Sequence, residues 1–315
     1  MIAVWIILGL LGIAAVVTVA VSRWIYKTAF YNKNDVDVSR EVLSGKYFDP
    51  HHDKMIEIVD KAMAIPFEEV FIKSCDGLDL FGRIYHQKDG APFHIQFHGY
   101  RGNGIRDFSG GLQLALSTGD NVILIDQRAH GRSGGHVIAF GLKERFDVLS
   151  WVNYVIDRYG KDTEIFLEGV SMGAATVLMA SSMNLPDNVK GIVADCPYSS
   201  AFGIVTTVAR NWYKIGSISK PFIFISALLF GRFNILASEL VKAVKETKVP
   251  ILLIHGTVDD FVPFEMSEAI KNANPEMIRF VPVEGASHGI SCLVNYELYK
   301  SEVYRFWKEN TAGKS

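Results

Sequence analysis

Charge is absent from Met1 to Ser22, cysteine is scarce, and the spacings that announce a metal or a nucleotide are missing. Three cysteines, Cys75, Cys196 and Cys292, lie far apart in 315 residues with no CxxC among them. Their odd number and scatter exclude a disulfide framework and a thiolate metal centre, and leave three buried thiols as the expectation. The 32 basic and 34 acidic side chains nearly cancel, at a net charge of -2. That balance gives no whole-chain reason to hold a polyanion, so no nucleic acid is expected as a partner. No HExxH or EF-hand spacing occurs, and His51-His52-Asp53 is too slight to argue for a metal. No Lys-Ser/Thr follows the glycines of Gly99 to Gly104, which speaks against a phosphate loop. Neither a metal nor a cofactor is expected.

The uncharged stretch is itself a signal. As a helix rising 1.5 Å per residue it reaches roughly 33 Å, enough for a bilayer's hydrocarbon core. A signal peptide would carry a basic residue ahead of a shorter apolar run; here none precedes a long one. Residues 1–23 therefore read as a single-pass anchor and 24–63 as a juxtamembrane linker, with a helix over Asp53 to Met63. Arg23, Lys27, Lys33 and Arg40 follow the apolar run, so the positive-inside rule places the rest of the chain in the cytoplasm. Trp24, Tyr26, Phe30 and Tyr31 suit an interfacial aromatic belt.

From Glu68 onward short apolar runs alternate with helical patterns. Glu69–Lys73 and Leu78–Tyr85 flank Asp76-Gly77, a hairpin signal. Phe93–Phe97, Asn121–Ile125, Ile165–Leu167, Gly191–Ala194, Pro250–Ile254 and Met277–Val283 read as buried strands, with helices such as Arg145–Tyr159 and Glu265–Ala273 between them. This is the pattern of a mostly parallel sheet covered on both faces. Residues 64–200 and 249–312 form that body. The long aromatic segment 201–248 interrupts the alternation and reads as a helical cap over the strand ends. From Ala201 to Ser238 it has Arg210, Lys214, Lys220 and Arg232 but no acid. Such a segment suits a lid that receives an acyl chain or leans on anionic lipid; its aromatics equally suit packing onto the body.

Gly169-Val170-Ser171-Met172-Gly173 joins a strand pattern to the helical run Ala174–Ala180. A G-x-S-x-G in that setting turns so sharply that bulk is excluded two residues either side of the serine. The Ser171 hydroxyl is then exposed, and the Met172 N–H lies at a helix N-terminus suited to an oxyanion. A serine nucleophile needs a base, and the base an orienting acid. His288, in the loop after the last strand, is the candidate base, since imidazole takes and returns a proton near neutral pH. Asp259, after Pro250–Ile254, is the candidate acid; Asp260 and Asp195 remain alternatives, and Asp259 could instead cap the next helix. His255 reads as structural, and His51, His52, His86, His94 and His136 as surface or core residues. After the strand ending at His98, Gly99 lets the chain bend and the Tyr100 N–H supplies a second oxyanion donor. The Tyr100 ring, with Trp212 and Tyr213 from the cap, is expected to line the substrate pocket. Asp126 and Arg128 are expected to pair inside the fold, although their charged loop could bind substrate.

Taken together, His98-Gly99, the Asp126-to-Gly134 loop, Gly169–Gly173, His255-Gly256-x-x-Asp259 with Val262-Pro263, and His288 resemble the α/β-hydrolase superfamily over roughly Val70 to Trp307. The Asp126-to-Gly141 stretch is similar to bacterial membrane-anchored serine hydrolases near the prolyl-oligopeptidase and monoacylglycerol-lipase-like branches. The resemblance implies an eight-stranded, mostly parallel sheet flanked by helices, and hydrolysis of an ester, thioester or amide without a cofactor. The expected partners are a small-molecule or lipid ester and a membrane through the N-terminal helix. A peptidase with the same machinery and a non-catalytic tethered binding module stay open as alternatives, and oligomeric state and acyl-chain length are not fixed.

Overall fold

A computed structural model describes residues 1–33, 42, 44–237 and 240–311. Arg40, with the rest of 34–41 and with 43 of the segment read as a linker, lies outside the described residues, as do 238 and 239 of the expected cap. Eight strands form one sheet in the order β1-β2-β4-β3-β5-β6-β7-β8. They are β1 (Glu68–Lys73), β2 (Asp79–Tyr85), β3 (Phe93–Phe97), β4 (Asn121–Ile125), β5 (Ile165–Val170), β6 (Val189–Asp195), β7 (Ile251–Gly256) and β8 (Ile278–Val283). β2 runs antiparallel to β1 and β4, and every other neighbouring pair is parallel. The chain leaves β3 toward β4 and returns across it to β5, so the direction of winding reverses there. A crevice opens at the strand C-termini where such a reversal occurs.

The continuous apolar runs are explained by two-sided burial. Ile123 and Ile125 of β4 join a core with Trp151 of α4 (Glu144–Tyr159) and Val177 of α5 (Met172–Ala180). Val122 and Leu124 face the other way, with Phe108 and Leu112 of α3 (Gly104–Ser117) and Phe306 and Trp307 of α11 (Tyr296–Asn310). Each such side chain removed from water contributes about 1.5–3 kcal/mol. Of the cysteines, Cys196 is buried and Cys292 half-buried, but Cys75 is exposed. The expectation of three buried thiols fails there because Cys75 begins the β1–β2 turn.

A buried ionic cluster crosses the second face. His94 Nδ1 lies 2.7 Å from Glu168 Oε1 and Nε2 lies 3.3 Å from Asp120 Oδ2, while Gln96 donates to Glu168 Oε2 at 2.8 Å. Burial opposes charging of His94, yet the two carboxylates outweigh it and raise its pKa to about 9. A folded-state value above the ordinary 6.5 stabilises the fold fully below that pH and less as pH climbs through the raised value. Thermal stability should therefore fall between about pH 6.5 and 9, and His94→Phe should flatten that slope in melting curves.

The N-terminal helix α1 (Ile2–Ile25) continues into a π-helical turn, Tyr26–Phe30. Together they give one helix, Ile2–Phe30, with a mean hydropathy of 2.7 over its best 18-residue window, long and apolar enough to span a membrane. Residues 24–33 do not behave as a free tether. Phe30 is fully buried, edge-on to Phe140 and Phe233. Tyr31 bridges to Val137, and Asn32 Nδ2 donates to the Ala129 carbonyl at 2.7 Å. The helix α2 (His52–Met63) likewise packs on α3, with Val59 and Ala62 buried and Gln113 donating to the Ile58 carbonyl at 3.0 Å. Between β6 and β7 the chain forms α6 (Ala201–Asn211), α7 (Lys220–Ser226), a π-helical turn at Ala227–Gly231 and α8 (Leu240–Glu246); α9 (Phe264–Ala273) joins β7 to β8, and α10 (Ser291–Val294) precedes α11. α7 packs against α1.

Candidate active site

β5 delivers Ser171 to the strand ends, and the chain turns into α5 with Ser171 as its N-cap. Ser171 adopts φ 55° and ψ -114°, a strained conformation for a residue with a Cβ. Such backbone costs about 1–3 kcal/mol and persists only where its surroundings enforce it. The enforcement is visible. A Cβ on Gly169 would overlap the Gly173 backbone, and one on Gly173 would overlap the Phe97 carbonyl. The Ser171 N–H donates to the Asp195 carbonyl of β6 at 2.8 Å, which pins the turn.

The loops after β7 and β8 bring two more side chains to this apex. His288 Nε2 lies 2.9 Å from Ser171 Oγ, and its Nδ1 lies 2.7 Å from Asp259 Oδ2. The second oxygen of Asp259 accepts the N–H groups of Phe261 and Val262 at 2.9 and 2.8 Å. Burial resists ionisation of Asp259, but the facing imidazoles of His288 and His255 hold its carboxyl well below the usual range. Asp260 is exposed and Asp195 Oδ1 accepts from Ser291 Oγ at 3.4 Å. Of the three acids considered, the structure brings Asp259 to His288. His255 is buried and works on the acid loop, with Nδ1 2.6 Å from Ser267 Oγ and Nε2 3.0 Å from the Val262 carbonyl.

Among the described residues, the main-chain N–H groups of Tyr100 and Met172 have no hydrogen-bond partner. The Tyr100 loop is held by Asp107 and His130, to which the sequence analysis gave no role, together with His98 of the His98-Gly99 motif. Asp107, in the first turn of α3, accepts the Gly99 N–H at 2.8 Å. His130 Nε2 accepts the Arg101 N–H at 3.0 Å. His98 Nε2 accepts the Gln127 N–H at 3.0 Å. Burial lowers the pKa of both imidazoles, that of His130 to about 3, so each keeps the lone pair it needs to accept. His130 lies inside the Asp126–Gly134 loop, whose density of charge was the available signal. In that loop Asp126 and Arg128 do not pair with each other. Arg83 Nη1 lies 3.1 Å from Asp126 Oδ1, and Arg128 takes Asp147 at 2.6 Å and Asp76 at 2.9 Å. Both charges are buried with partners supplied by other elements.

A cavity of about 600 Å³ opens beside the serine and histidine. Tyr100 and Trp212 line it, and it continues between α3 and α11 to a far wall built from 44–48 and α2. Tyr213 does not line it; its ring packs edge-on to Trp24 of α1 at 6.0 Å. Gly110 and Gly111 of α3 face this space. Helix-interior glycine costs about 0.5–1 kcal/mol relative to alanine. A Cβ on Gly110 would meet only Cys292 Sγ, at 3.8 Å, so its absence keeps the cavity wide. Among the described residues, the one cluster compact enough for an ion is Cys196, Asp259 and His288. Burial raises the Cys196 thiol well above its usual pKa, which leaves it a poor metal ligand.

A sequence model of the α/β hydrolase fold matches residues 95–214. The Pyrococcus furiosus esterase Pf2001 superposes with a TM-score of 0.64 at 24% identity, covering 79% of this chain and 93% of that one. The chain has the α/β-hydrolase fold. It also resembles the uncharacterised protein YqkD of Bacillus subtilis, 26% identical over 75% of this chain and 77% of that protein. The bifunctional esterase/perhydrolase DCH of Acinetobacter calcoaceticus is 23% identical over 70% and 93% of the respective chains. The eight-stranded, mostly parallel α/β-hydrolase sheet implied by the sequence motifs is the one observed.

Proposed function

We propose that this chain is a serine hydrolase that cleaves carboxylic esters through Ser171, His288 and Asp259. The observation that carries the reading is the unbroken line Ser171 Oγ, His288 Nε2, His288 Nδ1, Asp259 Oδ2, with links of 2.9 and 2.7 Å at a strained serine. His288 takes the Ser171 proton as Oγ attacks the ester carbonyl. Asp259 keeps the proton on Nδ1 and stabilises the imidazolium. The Tyr100 and Met172 N–H groups receive the oxyanion, the latter at the N-terminus of α5. Collapse of the tetrahedral intermediate passes the proton from His288 to the leaving alcohol and leaves an acyl-Ser171. Water, deprotonated by His288, then releases the acid.

The mostly apolar lining of the cavity supports an ester over an amide, and the relative DCH is an esterase/perhydrolase. No negative subsite for a peptide amino terminus is offered by the basic 201–237 segment. A panel of p-nitrophenyl esters against aminoacyl amides tests this; faster amide turnover would overturn the ester assignment. The cavity runs along α3 in the direction an acyl chain would extend. Gly110→Leu should lower kcat/KM for long-chain esters by about tenfold or more while leaving short ones within about twofold. A uniform loss across chain lengths would remove the chain from that cavity.

The same reading makes α1 a membrane anchor and the helices of 201–248 a cap over the site. Arg23, Lys27 and Lys33 on the C-terminal flank of α1 support a cytoplasmic body at the cell membrane.

A further inference from the structure

We infer that the loop between α6 and α7, Trp212–Ser219, is a second membrane contact that sets the mouth of the catalytic cavity in the headgroup layer of an anionic bilayer. This rests on the reading of α1 as an anchor and names where the ester of the proposed reaction comes from. Three observations converge on it.

The first is exposed apolar surface. Ile218 is 73% and Trp212 64% exposed, with Tyr213 and Ile215 exposed beside them. Large side chains clustered on one short loop exceed what a soluble surface needs and suit the interface where aromatic rings settle. The second is charge. Arg210 and Lys220 flank this loop and Lys214 lies within it, Arg23 and Lys27 lie near the end of α1, and no acidic residue occurs from 201 to 237. Apolar groups flanked by cations are the composition of an interfacial segment on anionic lipid. The third is continuity. Tyr213 packs on Trp24, the penultimate residue of α1, and α7 packs against α1. On the other side Trp212 meets Phe261 edge-on at 5.7 Å, and Phe261 lies 5.1 Å from the His288 ring. The adjacent residues Tyr213 and Trp212 thus touch the membrane helix and the catalytic side of the cavity, respectively.

The body cannot swing away from this orientation. Tyr100 Oη donates to the Ala29 carbonyl at 3.0 Å and Arg101 Nη2 to the Thr28 carbonyl at 2.8 Å, so the oxyanion loop is clasped to the end of the membrane helix. With Phe30 buried in the core, the anchor and the site move as one piece. The substrate on this account is an ester already resident in the leaflet, and its path to Ser171 avoids bulk water.

The test uses the full chain in nanodiscs of mixed phosphatidylcholine and phosphatidylglycerol. An environment-sensitive dye is placed at Ile218→Cys in a Cys75→Ser background, and at Lys161→Cys, on the turn before β5 at the opposite end of the sheet. The dye at 218 should show blue-shifted emission and be quenched by doxyl-labelled lipid, while the dye at 161 stays water-exposed. A water-like signal at 218 overturns the inference. So does a blue-shifted signal that the lipid quencher does not reach, which would mean a second protein copy covers the loop. As a second readout, the pair Lys214→Glu and Lys220→Glu should slow turnover of a nanodisc-embedded ester by about tenfold, with a short soluble ester within about twofold. Equal effects on both substrates contradict it. If the wild-type chain hydrolyses neither ester, the hydrolase reading fails while the dye result still decides the membrane contact.

Discussion

Ser171→Ala is expected to lower kcat by at least about ten-thousand-fold, while the melting temperature and the near-ultraviolet spectrum should stay those of the parent chain. The size of the effect follows from what the hydroxyl does. Among the described residues Ser171 Oγ is the hydroxyl hydrogen-bonded to His288 Nε2, so on the proposed mechanism its loss removes the acyl-enzyme route. The fold is spared because the apex is held by its neighbours. Gly169 and Gly173 supply the close approach to α5 and β3, and the Ser171 backbone bond to Asp195 does not involve the hydroxyl. Turnover of a soluble p-nitrophenyl ester measures it, and a variant retaining more than about a tenth of parental kcat would place the nucleophile elsewhere.

Asp259→Asn is expected to cost about a thousand-fold to ten-thousand-fold in kcat with little change in KM. The asparagine has no freedom to escape this outcome by flipping. The N–H groups of Phe261 and Val262 donate at 2.9 and 2.8 Å to Oδ1, so the amide oxygen stays there. Its NH₂ then faces His288 Nδ1 and His255 Nε2, 2.7 and 3.2 Å from the present Oδ2. His288 is driven to the tautomer with hydrogen on Nε2, which cannot accept the Ser171 proton. Asp260→Asn is the matched control, because that side chain is exposed and should leave kcat within about twofold. Stopped kinetics in Asp260→Asn with activity kept in Asp259→Asn would reverse the assignment.

Much of this arrangement is legible in the chain because the decisive constraints are local. The glycines around Ser171 are demanded by a turn five residues long, and the apolar runs of β3 to β7 are demanded by helices on both faces. Asp259 and His288 follow strands directly, so their placement needs only the strand order. What is not legible depends on partners distant in sequence. Asp126 and Arg128 look paired because they are two residues apart, yet Arg83 from β2 and Asp147 from α4 occupy them. Tyr213 looks like its neighbour Trp212, but the two rings part, one to α1 and one to the cavity. Phe30 resembles an interfacial aromatic and is instead buried between Phe140 and Phe233, a fit that no periodicity announces. His130 and Asp107 carry no motif of their own; their importance lies in the backbone they hold.

The most direct measurement is covalent. A fluorophosphonate should label the full-length chain with one equivalent, and peptide mapping should place the phosphonyl group on the serine between Val170 and Met172, with labelling lost in His288→Ala. An active preparation that takes no label, or carries it on any other residue, would contradict the account.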